Sequence, residues 1–305
     1  MKKWNSQSIG KPWQHYFFYV VIRFLGRYVA CFFMYFVVLW YVLFYPPIHA
    51  KCKPYLSKRF PYVKNGFTRL FYEYRWVTSL GRSLIDRAAY GIRSPKSIEI
   101  EAPDGKKLLE LLDEGKGLIV ISAHTGCWQI AFSALKYMKT KVHLVIHQDQ
   151  SDIDKHYYEF KEEAPPFNII DPAGYLGGTL QMVAVLQKGE TLGLMGDRVF
   201  GNDGNTMRLD FLGAPIKIPV ASFRLAAMQG TPIAVLLSYR ESRSRYRVEL
   251  SEIIRVPVLI ERNPDAYIHY GRQYLRCLTN FVQDHPFDFY NYYDMWESNL
   301  SNADV

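Results

Sequence analysis

"ISAHTGCWQI", residues 121–130, joins the fold to the chemistry. It continues an apolar run that starts at Gly117 and stops at His124. A short run rich in Ile and Val, bounded by glycine, reads as a strand buried on both faces. The residues after it, over about 126–138, read as a helix. A strand that ends at a histidine and turns into a helix places an ionisable group at its carboxyl end, where ligands sit in open α/β sheets.

The same alternation extends in both directions. Upstream, "SIEIEA" (97–102) reads as a strand. "DGKKLLELLDEG" (104–115) reads as a helix with Asp104 at its N-cap and Gly115 at its stop. Downstream, "KVHLVI" (141–146) and "FNII" (167–170) are strands, with a helix over 151–163 between them. A helix over 177–188 ends at Gly189, and "TLGLM" (191–195) is a strand leading into "GDRVFG". A helix over 219–229, strands "TPIAVLLSY" (231–239) and "YRVELSEII" (246–254), and a helix over about 264–283 complete the chain. Units of this kind predict an α/β fold with a largely parallel central sheet flanked by helices.

The N-terminal region is different. Tyr28 to Tyr45 carries no charge over 18 residues. As a helix it is about 27 Å long, close to the hydrocarbon thickness of a bilayer. It ends in Pro46-Pro47 without a small-residue cleavage site, unlike a signal peptide. The boundary near 46–53 divides the chain into a membrane anchor, 1–50, and a second domain, 51–305. Lys2, Lys3, Lys11, Arg23 and Arg27 precede the run, and Lys51, Lys53, Lys58, Arg59 and Lys64 follow it. This balance gives the positive-inside rule no direction, so a helix dipping into one leaflet fits as well as a span. Residues 51–96 hold 11 Lys and Arg against Glu73 and Asp86, interleaved with aromatics. Beside an apolar helix, that composition reads as a surface for anionic headgroups rather than for nucleic acid. The formal charge of +8 agrees with an anionic partner. The four cysteines show no metal-ligand spacing, which argues against a zinc site or disulfide framework.

Two strands carry ionisable groups to the same sheet edge: His124 after "GLIVISA", and Asp197-Arg198 after "TLGLMG". Imidazole titrates near neutrality, so a histidine there suits a general base. Gly126 allows close backbone approach, and N–H groups at the helix start could receive an anion.

"HTGCWQ" resembles the His-x4-Asp/Glu motif of the glycerolipid and lysophospholipid acyltransferase superfamily. Its H-x-G-x-W core is similar to that of the bacterial lipid A biosynthesis lauroyl/myristoyl acyltransferases. Further resemblance lies in "LQKGETLGLMGDR", "DFLGAPIKIP", "LAAMQGTPIAVL" and the aromatic "HPFDFYNYYDMW". The resemblance covers most of the chain. It implies a glycerolipid acyltransferase-like fold at the cytoplasmic face of the bacterial inner membrane. It also implies transfer of a fatty acyl chain from acyl-carrier protein or acyl-CoA to a hydroxyl of lipid A or a related membrane glycolipid. No metal, cofactor or acyl-enzyme is implied. His124 is then the base, with Gln129 and Asp197 in support. Arg198, Gly126, Trp128 and Lys217 are candidates for substrate contacts.

The departures are specific. The family has an acid where this chain has Gln129, an Asn at the position of Cys127, and often an Arg near His147 or Gln148. An amide can accept the imidazole N–H but carries no charge. Gln129→Glu is therefore expected to give equal or higher activity. The changes leave room for a different lipid acceptor, such as an amino lipid or polyene, or for a non-catalytic lipid-binding relative. Cys127 reads as packing rather than as a nucleophile. Tyr290, Tyr292, Tyr293 and Trp296 fit either a membrane-interface belt or a packed C-terminal cap.

Overall fold

A computed structural model describes residues 12–93, 97–135, 140–146, 167–172, 174, 178–199, 205–258, 260 and 263–296. The helix expected over 151–163, and His147 and Gln148, lie outside the described residues.

Helices α1 (Pro12–Leu25) and α2 (Arg27–Phe44) meet at Gly26, whose φ of 87° side-chain-bearing residues rarely adopt. Helix α3 (Pro46–Arg59) starts on Pro46 and Pro47. Their fixed φ and missing N–H suit a first helical turn, so the expected boundary is a helix start. Helix α4 (Gly66–Ile92) is capped by Asn65, whose side-chain oxygen accepts from the Phe67 N–H at 2.8 Å. Ala30, Cys31, Met34, Val38 and Val42 form one face of α2 and pack in a cluster with Ile85 and Ala89 of α4. Phe32, Phe36, Trp40, Leu43 and Phe44 are exposed. α2 is thus buried along one stripe, not enclosed as a core helix is. At its start the buried Arg27 pairs with Asp86 of α4 at 3.2 Å.

The sheet contains β1 (Glu99–Glu101), β2 (Leu118–Ser122), β3 (Val142–Val145), β4 (Asn168–Ile170), β5 (Thr191–Met195), β8 (Ile233–Arg240) and β9 (Arg245–Ile254). Their order is β1-β9-β8-β2-β5-β3-β4. From β8 to β4 all neighbours are parallel. β9 returns antiparallel to β8, and β1 runs parallel to β9. The sheet is therefore largely parallel, with one edge reversed by a short hairpin.

β2 is buried throughout, and its alternation divides the core. Leu118 and Val120 pack with Leu108 and Leu111 of helix α5 (Gly105–Asp113) and with Trp128 and Phe132 of helix α6 (Trp128–Ala134). Ile119 and Ile121 face the other layer. There they share a cluster with Met182 and Val185 of α7 (Thr179–Gln187), Phe223 of α8 (Ala221–Gln229), and Tyr274 and Leu278 of α9 (Ile268–Asp284). Each such aliphatic side chain contributes roughly 1.5–3 kcal/mol by leaving water.

Some boundaries differ from expectation. α6 begins at Trp128 instead of 126, because the chain first turns at Gly126 and Cys127. Asp104 stands at the N-cap of α5 without capping it; its carboxylate accepts from Lys107 at 2.9 Å. "DFLGAPIKIP" belongs to an unexpected hairpin, β6 (Thr206–Phe211) and β7 (Ala214–Pro219), turning at Leu212-Gly213. The buried alternation of Met207, Leu209 and Phe211 with Ile216 and Ile218 is its signal in the sequence.

Candidate active site

Strand register brings the central pair together. β2 and β5 are parallel neighbours with Ser122 opposite Met195, so two residues further along, His124 and Asp197 lie side by side. Both carboxylate oxygens of Asp197 lie close to His124 Nδ1, at 2.9 and 3.0 Å. One of them also accepts the His124 backbone N–H at 3.3 Å. The imidazole is 16% exposed and the carboxylate 1%. Burial alone would raise the Asp197 carboxyl, but the His124 charge and hydrogen bonds, with help from Arg198, hold it below the ordinary carboxylate range. The carboxylate is therefore ionised at neutral pH. It accepts the Nδ1 proton, so Nε2 is the ring atom placed to take a proton.

The loop carrying His124 is held on two sides. Thr125 receives Ser238 of β8 through both the Ser238 N–H, at 3.3 Å, and its hydroxyl, at 2.9 Å. On the other side the chain after α9 runs antiparallel to it. The Gly126 N–H donates to the Asp288 carbonyl at 2.8 Å, and the Tyr290 N–H donates to the His124 carbonyl at 2.7 Å. The Gly126 N–H is thus directed at the protein, not at a substrate anion. Glycine is required there for a different reason. Its φ is 53°, and a Cβ would stand 2.4 Å from the Ser238 carbonyl oxygen. Gly126→Ala is expected to lower stability by about 2 kcal/mol or more, combining left-handed strain with overpacking. A denaturant midpoint measurement checks this.

The remaining candidates are spread unevenly. Trp128 is buried, and its ring packs edge-on to the imidazole at 6.2 Å between centroids. Arg198 is buried rather than a surface cation. Its guanidinium donates to the Tyr290 carbonyl at 3.0 Å and lies over the Tyr293 ring. Lys217 sits on β7 opposite Arg208, in the two-stranded sheet, between the buried Ile216 and Ile218. Gln129 is buried in the first turn of α6. Since Asp197 already provides the carboxylate at Nδ1, Gln129→Glu adds a second buried acid to this region. The expectation is now no gain in kcat/KM for that variant, measured on the product-forming reaction.

The Cys127 thiol is buried, and burial pushes it up to about 11, so it is not an ionised nucleophile at neutral pH. Among the described residues no group of three or more His, Cys, Asp or Glu is arranged for a metal ion. The C-terminal aromatics form a packed cap. Tyr292 stacks on Trp76 with ring centroids 4.2 Å apart, and the Trp296 indole donates to the Phe211 carbonyl at 2.9 Å. Two contributors to the site were not expected. The Tyr293 hydroxyl donates to the Asp197 backbone carbonyl at 3.3 Å, and the Tyr274 hydroxyl donates to the Ser122 carbonyl at 3.2 Å.

A family model described as bacterial lipid A biosynthesis acyltransferase matches residues 9–258. Among solved structures, the chain is similar to the 1-acyl-sn-glycerophosphate (LPA) acyltransferase PlsC from Thermotoga maritima. The identity is 9%, the TM-score 0.37, and the match covers 87% of this chain and 98% of that one. No curated protein matches the chain.

Proposed function

Because the chain belongs to the bacterial lipid A biosynthesis acyltransferase family and is a lipid acyltransferase, we propose that His124 is its general base. The acyl donor in this reading is the thioester of acyl-carrier protein or acyl-CoA, and the acceptor is a hydroxyl of lipid A or a related membrane glycolipid. The observation that carries the reading is the Asp197 carboxylate held at 2.9 Å from His124 Nδ1. His124 Nε2 takes the proton of the acceptor hydroxyl as its oxygen attacks the thioester carbonyl. Asp197 offsets the charge of the imidazolium that forms. The tetrahedral intermediate then collapses, the C–S bond breaks, and the imidazolium returns its proton to the leaving thiolate. The products are an ester and a free carrier thiol. Arg198 beside Asp197 supports the negative charge of the pair, and Trp128 walls one side of the imidazole.

A different acceptor is the second reading, favoured by Gln129 and Cys127 at two motif positions. Incubating the purified protein with labelled acyl-carrier protein or acyl-CoA and a total lipid extract tests both. A product with the mass of acylated lipid A supports the first acceptor. A different acylated lipid supports the second, and donor binding without any new lipid overturns the catalytic reading of this chain.

We further assign α1 and α2, within the 1–50 anchor, to a monotopic seat on the inner membrane's cytoplasmic face. The exposed aromatic stripe supports this, together with the attachment of α2's other face to α4. Midway along α2, the Tyr35 hydroxyl accepts from Arg82 of α4 at 2.9 Å, which keeps that side of the helix against protein. Phe32, Phe36 and Trp40 recur at four-residue intervals on the outward face. Replacing all three with serine is expected to move the protein from the membrane pellet to the soluble fraction. An unchanged distribution after sedimentation would count against this seat.

A further inference from the structure

A cavity of about 450 Å³ opens between α2, α4, the end of β8 and the residues that follow α9. Neither His124 nor Asp197 lines it. Its volume is in the range of small-ligand sites. One face of α4 supplies Arg75, Thr78, Ser79 and Arg82, at the three- and four-residue spacing of a helix face, and Arg240 enters from β8.

The charges are unevenly matched. Arg240 already has Asp86 at 3.4 Å. Arg75 lies over the ring of Phe287 at 4.2 Å, and Arg82 donates to the Tyr35 hydroxyl. Among the described residues neither Arg75 nor Arg82 meets a carboxylate. Two acids also line the cavity, Asp284 and Asp288. Asp288 is occupied, accepting from the Ser79 hydroxyl at 2.7 Å and the Tyr290 hydroxyl at 3.3 Å. Burial also pushes its carboxyl upward, with Ser79 and His285 opposing.

The second observation concerns Thr78. Its residue is 3% exposed, and its hydroxyl oxygen is buried with no hydrogen-bond partner among the described residues. A buried hydroxyl left unmet is unfavourable, so such groups point to a partner that arrives from outside the chain. Two guanidinium groups without acids, on the same α4 face as Thr78 and lining one cavity with it, match the acceptor-rich surface of a phosphate group.

We infer that this cavity binds a phosphate-type oxyanion, carried on a lipid headgroup or free in solution. The inference does not depend on His124 being the base. A headgroup source agrees with Tyr35 of α2 forming one wall, since the other side of that helix carries the exposed aromatics.

Equilibrium binding and thermal shifts of the full chain test it. One arm uses inorganic phosphate, against chloride and acetate at equal ionic strength. The other uses phosphatidylcholine vesicles with and without phosphatidic acid. The expected result is a saturable response to phosphate that is weakened at least about tenfold in Arg75→Gln/Arg82→Gln, as expected for loss of charge-assisted hydrogen bonds. A preference for phosphatidic acid vesicles that this variant loses assigns the headgroup source, and a response to inorganic phosphate alone assigns the free anion. Should the double variant not fold, Thr78→Val decides, because it removes a hydroxyl that has no partner. It should hold or raise the melting temperature of the unliganded protein and weaken phosphate binding several-fold. The inference is overturned if the wild type distinguishes neither phosphate from chloride nor the two vesicles. Unchanged affinity in the folded double variant, or in Thr78→Val where that variant is the arbiter, also overturns it. Phosphate binding without attachment to any vesicle would count against the membrane seat and leave the cavity assignment standing.

Discussion

Acyl transfer by the His124→Ala variant is expected to fall by about 10²–10⁴-fold, the range by which a positioned general base accelerates a reaction. The loss should appear in kcat, because the proton moves only as the acceptor oxygen attacks. Alanine also removes the partner of a buried carboxylate, so some of the loss could come from weakened folding. His124→Asn separates the two effects. The asparagine amide can stand near the position of Nδ1 and still donate to Asp197, but it has no basic atom in place of Nε2. The expected pattern is equal inactivation in both variants, with the melting temperature lowered more in His124→Ala. Initial rates of labelled ester formation and a thermal melt measure both quantities. Substantial turnover by folded His124→Asn would remove the imidazole from the mechanism.

Much of the site is legible in the sequence because it follows from strand pattern. "GLIVISA" and "TLGLM" each read as buried strands, and each ends in an ionisable group. If the two strands are parallel neighbours, His124 and Asp197 must share an edge, and the pairing of Ser122 with Met195 shows that they do. Which of the two supports, Gln129 or Asp197, partners the imidazole is not legible in the same way. The motif spacing directs attention to position 129, yet the nearby carboxylate at Nδ1 comes from the residues just after β5. Helix-based spacing describes neighbours along one element, whereas this contact depends on the register between two elements. The role of Gly126 was half visible. Its glycine signals close backbone approach, but only the fold shows that the approaching backbone is Ser238. The C-terminal cap was less legible still. Single backbone hydrogen bonds such as Tyr290 to His124 leave no periodic trace. The same limit applies to α2, whose composition marks an apolar helix but not the stripe along which α4 packs.

The register also makes Asp197→Asn the sharper test of the proposed chemistry. The ionised carboxylate accepts the Nδ1 proton and so fixes Nε2 as the basic atom. An asparagine can present its NH₂ to Nδ1 instead, which moves the ring proton to Nε2 and removes the base without displacing the ring. The equivalent exchange in a serine protease costs about 10⁴ in kcat, and a drop of about 10³–10⁴ is expected here. The folding equilibrium gives a second readout. The native Asp197 pKa lies below its unfolded value near 3.9, so the unfolded chain binds the proton more readily. The pair's stabilising contribution is therefore complete above about pH 4 and is lost as pH falls through the native pKa. Asp197→Asn should lower stability at neutral pH and flatten the acid limb of the stability profile below about pH 4, relative to wild type. A variant with wild-type kcat and an unchanged acid limb would mean that this carboxylate neither orients the imidazole nor stores its charge.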